Sequence, residues 1–461
     1  MKAKLRIAVA SVLVAAGLAV TAGAASYDGS ADRLKDLGLF QGTQNGYELD
    51  RAPTRGEAAA MLVRLLGKEA EAKELTYDAP FTDLAEWQKP YVQYLYTNGL
   101  TNGATATTFA PADTCSAQMY TTFLLRSLGY SDAAQGDFTY TGALDFGKTV
   151  GLVDYANCDA SNFLRDHVAA MSLTALATDV KGEEDTKLLE KLVADGAVAA
   201  DTAADTLAFF ENYDAYMTAS AAMADTTAMD LSVALDAKIS LNGQMVAVVS
   251  MPMEIQANVD TAHMDQTKMA ISANMQMEAD PALTGGAQAS INMPVKYYYT
   301  DGVYYMNMGD EKVKMEMSLE DAIAQMGGLD DMMQQSEPLC LIDSITRAGN
   351  RITVTYSASG MSGLVDTVLD SMNMDELLAG IGMEFDDIDA SVTVVNNRLE
   401  SMDMSAAVTV TAEGQTVQMT MDMTYEVNAT GNSVRVQLPN DLNTYVDMMA
   451  EGSSETQTPA A

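Results

Sequence analysis

Thr54-Arg55-Gly56-Glu57 carries two kinds of chemistry in four residues. Thr54 and Glu57 have the spacing of a capping box, in which each side chain closes a free N–H at the start of a helix. Arg55 has no such structural role. A cation in the first helical turn opposes the helix dipole, so its presence asks for another reason. An arginine fork beside free N–H groups is well placed to hold a carboxylate. Leu164-Arg165-Asp166-His167 keeps the arginine and puts His167 where the glutamate would stand. Thr114-Cys115-Ser116-Ala117 has neither Arg nor Glu. Trp87, the single tryptophan, reads first as a core anchor and second as a ring on which a sugar could stack.

Most catalytic chemistry is poorly supplied. His167 and His263 are the two histidines and lie far apart in the chain. A hydrolytic triad or a histidine-rich metal site cannot be assembled from them. With 64 Asp and Glu residues, no carboxylate pair can be singled out for glycosidase work. Asp386-Asp387-Ile-Asp389 lacks the spaced oxygens of a calcium loop. No catalytic residue, cofactor or metal site is expected, and the chain reads as a non-enzyme. A net charge of −38 argues against nucleic acid as a partner, since phosphate contacts need a basic surface. Three cysteines (Cys115, Cys158, Cys340) are too few for a disulfide scaffold. Cys115 and Cys158 are read equally as a pair or as buried thiols.

The elements that must position these residues recur. Phe81-Thr-Asp83 opens a stretch in which Trp87, Tyr91, Tyr94 and Leu95 share one face of a short helix that Gly99 stops. Phe109-Ala-Pro111 then leads into a second helix over about 118–128. The same order appears upstream from Leu34 to Gly67 and, more faintly, downstream from Ala143 to Leu176. Three helix–loop–helix units of roughly fifty to sixty residues would bury their apolar faces against one another. Their expected limits are 26–75, 76–134 and 135–200, the third degenerate.

These residues resemble the S-layer homology domain, with its F-x-D…W…G-(I/L)-x-x-G…F-x-P…T-R-A-E…L-x-R…L-G order. The resemblance covers about the first 200 residues. It implies an all-α pseudo-threefold module that binds an acidic, commonly pyruvylated secondary cell-wall polysaccharide and anchors the chain to the wall. Arg55, Glu57, Trp87 and Arg165 are the residues it assigns to polysaccharide binding, with one or two competent grooves rather than three.

Residues 1–25 read as a secretory signal: Lys2, Lys4 and Arg6 precede an apolar run from Ile7 to Val20, and Ala22-Gly23-Ala24 offers a cleavage site. No later stretch approaches a membrane span, so the expected location is secreted, at the cell wall or S-layer surface. The tail, 446–461, reads as disordered.

Residues 201–445 differ in kind. Only 4 of the 33 methionines precede residue 215. From Met229 onward apolar residues alternate, and Asn242-Gly243, Asp301-Gly302, Asn396-Asn397 and Glu413-Gly414 fall between runs as hairpin turns. Strands are expected at 229–241, 244–258, 266–279, 291–300, 303–308, 312–317, 351–358, 389–396, 399–411, 416–428 and 433–438. Helical periodicity marks an entry helix from Thr206 and two inserted helices, 318–333 and 363–378. The expected architecture is an α+β antiparallel curved sheet, a half-barrel with helices on its concave side. Tyr297-Tyr-Tyr-Thr-Asp-Gly-Val-Tyr-Tyr-Met306 resembles a hairpin of LolA-like lipoprotein carriers. That resemblance implies a cavity for a lipid or other apolar ligand; methionine at alternate positions equally fills a plain core. The whole chain is thus expected to be a wall-anchored surface protein displaying a half-barrel. The alternative is an extracytoplasmic carrier of hydrophobic ligands with decayed repeats.

Overall fold

The computed structural model describes residues 27–447, apart from 184, 261, 281–288, 310, 320–336, 361–380, 387 and 413. The expected signal segment, the inserted helices (beyond the first residues of 318–333) and most of the tail lie outside the described residues.

Helices fill the first half. Grouped in chain order as three pairs, the helices are α1 (Asp28–Asp36) and α2 (Arg55–Leu65), α4 (Lys89–Thr97) and α5 (Ala117–Ser127), and α6 (Ala143–Thr149) and α7 (Arg165–Leu176); they pack across these groups, α1 on α7, α2 on α4 and α5 on α6. Between the first two pairs lies α3 (Glu69–Glu74), and α8 (Leu188–Ala194) and α9 (Ala200–Ala224) follow. The Thr54 hydroxyl accepts from the Glu57 N–H at 3.2 Å and the Glu57 carboxylate accepts from the Thr54 N–H at 2.9 Å, so the capping box forms. In α7 the imidazole does this work: His167 Nδ1 accepts from the Leu164 N–H at 3.0 Å. Pro90 sits within the first turn of α4, where its missing N–H costs nothing.

The second half is one curved, open antiparallel sheet. Its strands are β1 (Ala228–Leu241), β2 (Gln244–Asn258), β3 (Lys268–Ala279), β4 (Ala289–Thr300), β5 (Val303–Met308), β6 (Glu311–Glu316), β7 (Ile342–Ala348), β8 (Arg351–Tyr356), β9 (Ile381–Phe385), β10 (Ile388–Val395), β11 (Arg398–Ala412), β12 (Gln415–Thr430) and β13 (Val446–Asp447). The order across the sheet is β13-β6-β5-β4-β3-β2-β1-β12-β11-β10-β8-β7, with β9 also on β11. Asn242 and Gly243 have φ of 50° and 81°, Asp301 and Gly302 53° and 75°. These left-handed pairs match the twist of the flanking strands and close two-residue hairpins.

Register explains the methionines. Met402, Tyr425, Val233, Met253, Ala273, Val295 and Met308 stand side by side across seven strands. The next row holds Met404, Met423, Leu235 and Met251. Alternation therefore gathers one apolar face, and Asp236, Asp422 and Ser405 fall on the other.

Three expectations about strands need correction. Residues 433–438 form no strand, because β12 already has β1 and β11 on its two edges. The chain instead runs to the far side of the sheet, where β13 joins β6 in parallel. Ile342–Ala348 and Ile381–Phe385 are strands that the alternation does not announce.

The two halves share a core. Phe209, Phe210 and Tyr216 of α9 belong to the same buried cluster as Leu34, Leu62 and Leu124, and as Ile345, Ile352, Val354 and Val392 of the sheet. The half-barrel expected to be displayed from the helical half is therefore packed into it through a common core. Arg33 crosses the seam, its guanidinium 3.8 Å from the Phe209 ring centroid and donating to the Asp343 carbonyl at 3.0 Å. Tyr213 and Tyr216 of α9 donate to the Glu337 carbonyl and carboxylate at 2.7 and 2.9 Å.

Candidate functional site

The start of α2 lies against the second helix pair. Arg55 and Gly56 donate their N–H groups to Asp113 and Pro111 carbonyls, and Cys115 returns a bond to Pro53. A Cβ on Gly56 would come within 2.4 Å of the Gln88 amide and 3.2 Å of the Pro111 carbonyl oxygen, so a larger residue would have to displace the Gln88 side chain. Trp87 precedes Gln88 in the turn before α4.

Two motifs of the second unit meet here. The Asp83 carboxylate accepts from the Phe109 and Ala110 N–H groups at 2.9 and 2.8 Å. Burial opposes its charge, but these two bonds and the nearby Arg55 hold its pKa below the usual carboxylate range. The F-x-D and F-x-P segments are thus clamped together, with Phe81 and Phe109 rings 5.9 Å apart.

Arg55 is half-buried on this clamp. Its Nε donates to the Phe109 carbonyl at 2.8 Å, and its guanidinium lies 5.0 Å from the Phe109 ring centroid. Nη1 meets the Met119 sulfur at 2.6 Å. Among the described residues it forms no ion pair within 4 Å, although 64 carboxylates are present in the chain.

Arg165 repeats the geometry between the third and first pairs. Its Nε donates to the Tyr47 carbonyl at 3.0 Å and Nη1 meets the Met61 sulfur at 3.6 Å. Expected at a ligand face, it is only 3% exposed. Burial works against its charge, and Glu57 and Glu48 nearby partly restore it. Glu57 is committed as well: Arg51 grips it bidentately at 2.6 and 2.9 Å. Burial alone would raise its pKa, but Arg51 and the Thr54 N–H bring it down to about 2.

Trp87 corrects the reading as a core anchor. It is 52% exposed, touching Tyr91 edge-on at 6.5 Å. Core duty falls to Phe81, Tyr91 and Leu95. Cys115, Cys158 and Cys340 are free thiols, and burial pushes Cys115 and Cys158 each up to about 12. Sequence reasoning missed Arg51 as the partner of Glu57, since a loop arginine six residues upstream carries no spacing signal.

Known proteins bear on both halves. The S-layer homology domain model matches residues 80–116, and the model described as a family of unknown function (DUF6612) matches residues 235–444. The middle cell wall protein of Brevibacillus brevis is 30% identical over 139 residues, covering 29% of this chain and 13% of that protein. The surface layer protein of Brevibacillus choshinensis is 29% identical over 115 residues, covering 24% of this chain and 10% of that protein. The chain thus spans about an eighth or less of the length of these relatives. A solved LolA-superfamily protein from Nitrosomonas europaea covers 46% of this chain and 89% of that one at 8% identity, with a TM-score of 0.13. The chain carries an S-layer homology domain. It is a secreted, cell-wall-associated surface protein.

Proposed function

We propose that the helical half anchors the protein non-covalently to an acidic polysaccharide of the cell wall, with Arg55 as the charged contact. The three helix pairs act as copies of one unit, and the sheet half is displayed from them. One observation carries this reading: among the described residues, the half-buried Arg55 where α2 meets the loop before α5 has no ion-paired carboxylate within 4 Å, in a chain of net charge −38. A guanidinium already fixed through Nε and Nη1 keeps its remaining edge in one orientation, which suits a carboxylate on a sugar. The exposed ring of Trp87, one residue before the Gln88 that faces Gly56, offers a surface for a sugar face. Arg165 and Glu57, spent on protein partners, hold the neighbouring loops and act on the polysaccharide through them.

Co-sedimentation with purified cell walls tests this. Arg55→Ala is expected to lower the bound fraction at least about tenfold in affinity, the worth of one charge-assisted fork. Arg55→Lys recovers part of it. Unchanged sedimentation of Arg55→Ala sinks the assignment.

The row of Met402, Tyr425, Val233, Met253 and Met308 favours a second reading for the sheet half, as a binder of a lipid or other apolar ligand. Mass spectrometry of lipids co-purifying with the full chain decides it. An absence of stoichiometric lipid removes that reading and leaves wall anchoring untouched.

A further inference from the structure

The C-terminal end of α7 opens on a cleft lined by none of the residues assigned above. Lys148 and Asp154 come from the end of α6 and the loop after it, Thr174 and Thr178 from α7 and its exit, and Tyr213 from α9 beside Leu339. It encloses about 410 Å³, within the roughly 300–1,000 Å³ of small-molecule sites. A second cleft of about 430 Å³ shares Gly151, Ala177 and Thr178 with it and extends to Tyr130 and Lys187. Together they form a groove with a tyrosine toward each end.

Its polar groups differ in how far the protein uses them. Lys187 is occupied, paired with Asp214 at 2.9 Å and donating to the Ala177 carbonyl at 3.1 Å. Lys148 is exposed and has no ion pair within 4 Å among the described residues. Asp154 accepts from the Ala156 and Asn157 N–H groups through Oδ1, at 2.8 and 2.7 Å. Its Oδ2 makes no hydrogen bond among the described residues, on a side chain that is half-buried at the groove. The Thr178 hydroxyl donates to the Thr174 carbonyl at 2.8 Å, which leaves its lone pairs to accept. The Tyr213 hydroxyl is fixed on Glu337, so its ring is a rigid wall.

A lysine, a carboxyl oxygen, a hydroxyl and a fixed aromatic wall around a partly apolar groove suit a molecule with hydroxyls, one negative charge and an apolar ring face. An acyl chain would leave the polar groups unpaired, and a polyphosphate would meet Asp154. We propose that this groove binds an anionic saccharide of one or two rings, its carboxylate on Lys148, a hydroxyl on Asp154 and a ring face on Tyr213. Tyr213 and Leu339 lie outside the three helix pairs. The site is therefore complete only with α9 and the segment before β7 docked on α7, and it is separate from the Arg55 seam.

Calorimetric titration of the full chain with N-acetylglucosaminyl-N-acetylmuramic acid, which carries a carboxylate, and with neutral di-N-acetylchitobiose tests this. The charged disaccharide is expected to bind saturably, and about tenfold more tightly than the neutral one. Lys148→Ala, at an exposed position, is expected to remove that difference, and Arg55→Ala to leave it intact. No saturable binding, equal affinity for the two sugars, or binding unaffected by Lys148→Ala overturns the proposal. So does binding lost in Arg55→Ala and kept in Lys148→Ala, which would assign the disaccharide to the wall-binding seam instead.

Discussion

At the scale of single residues, the charged groups of the helical half divide by what they are bonded to. Glu57 is held by Arg51 and the Thr54 N–H, and its pKa falls to about 2. A depressed carboxylate stabilises the fold above its unfolded pKa of about 4.5, and this contribution fades as pH falls toward 2. Thr54→Ala removes half of the capping box and is expected to cost about 1 kcal/mol, read as a shift in urea midpoint. Asp166 behaves oppositely. Burial raises its pKa to about 7, helped by Asp28 and opposed by the Tyr27 N–H that it accepts at 2.7 Å. Its favourable neutral form is complete below the unfolded pKa near 3.9, and that stability is lost as pH rises through about 7. Thermal melts of Asp166→Asn are therefore expected to lose the decline expected of the parent chain between about pH 4 and 7. An identical decline in both removes Asp166 as its source.

At the scale of elements, glycines mark where chain segments touch. Gly67 ends α2 at φ 64°, and the Lys68 N–H reaches back to the Val63 carbonyl. A Cβ there would lie 2.8 Å from Ala197 Cβ and 3.0 Å from its backbone oxygen, in the turn between α8 and α9. Gly67→Ala combines left-handed strain with overpacking and is expected to cost about 2 kcal/mol. Chemical denaturation measures it, and a loss under 0.5 kcal/mol would mean that the α8–α9 turn is free to move away. Such helix stops were legible in the residues, as were the hairpins at Asn242-Gly243 and Asp301-Gly302, because positive φ selects so few residue types. Strand β7 was not. Ile342 and Ile345 are three apart and gain their partners from β8 and α9, contacts that local alternation cannot report.

For the whole molecule, the shared core makes an energetic statement. Phe210 is fully buried where α9 joins the helix pairs to β7, β8 and β10. Phe210→Ala is expected to cost about 3–5 kcal/mol. Loss of this size reaches both halves, so Trp87 fluorescence and the far-ultraviolet signal of the sheet are expected to fall in one coincident transition. Two separated transitions would show halves that fold independently despite the common cluster. Ile352→Ala, on the sheet side, carries the same expectation at about 2–5 kcal/mol.

Residue order along the chain was enough for the Thr54–Glu57 capping box, the two-residue hairpins at Asn242-Gly243 and Asp301-Gly302 and the alternating face of the sheet. Each depends on groups a few positions apart, where covalent connection already sets the distance. Long-range contacts settled the rest. Arg165 and Arg55 read alike in the sequence, yet one is 3% exposed over Tyr47 and the other half-buried on Phe109, because different loops from distant units close over them. Trp87 stands in solvent since Phe81 and Tyr91 already fill the space inside it. The groove between Lys148, Asp154 and Tyr213 is assembled from three segments with no local signature, and packing alone brings their polar groups within reach of one ligand.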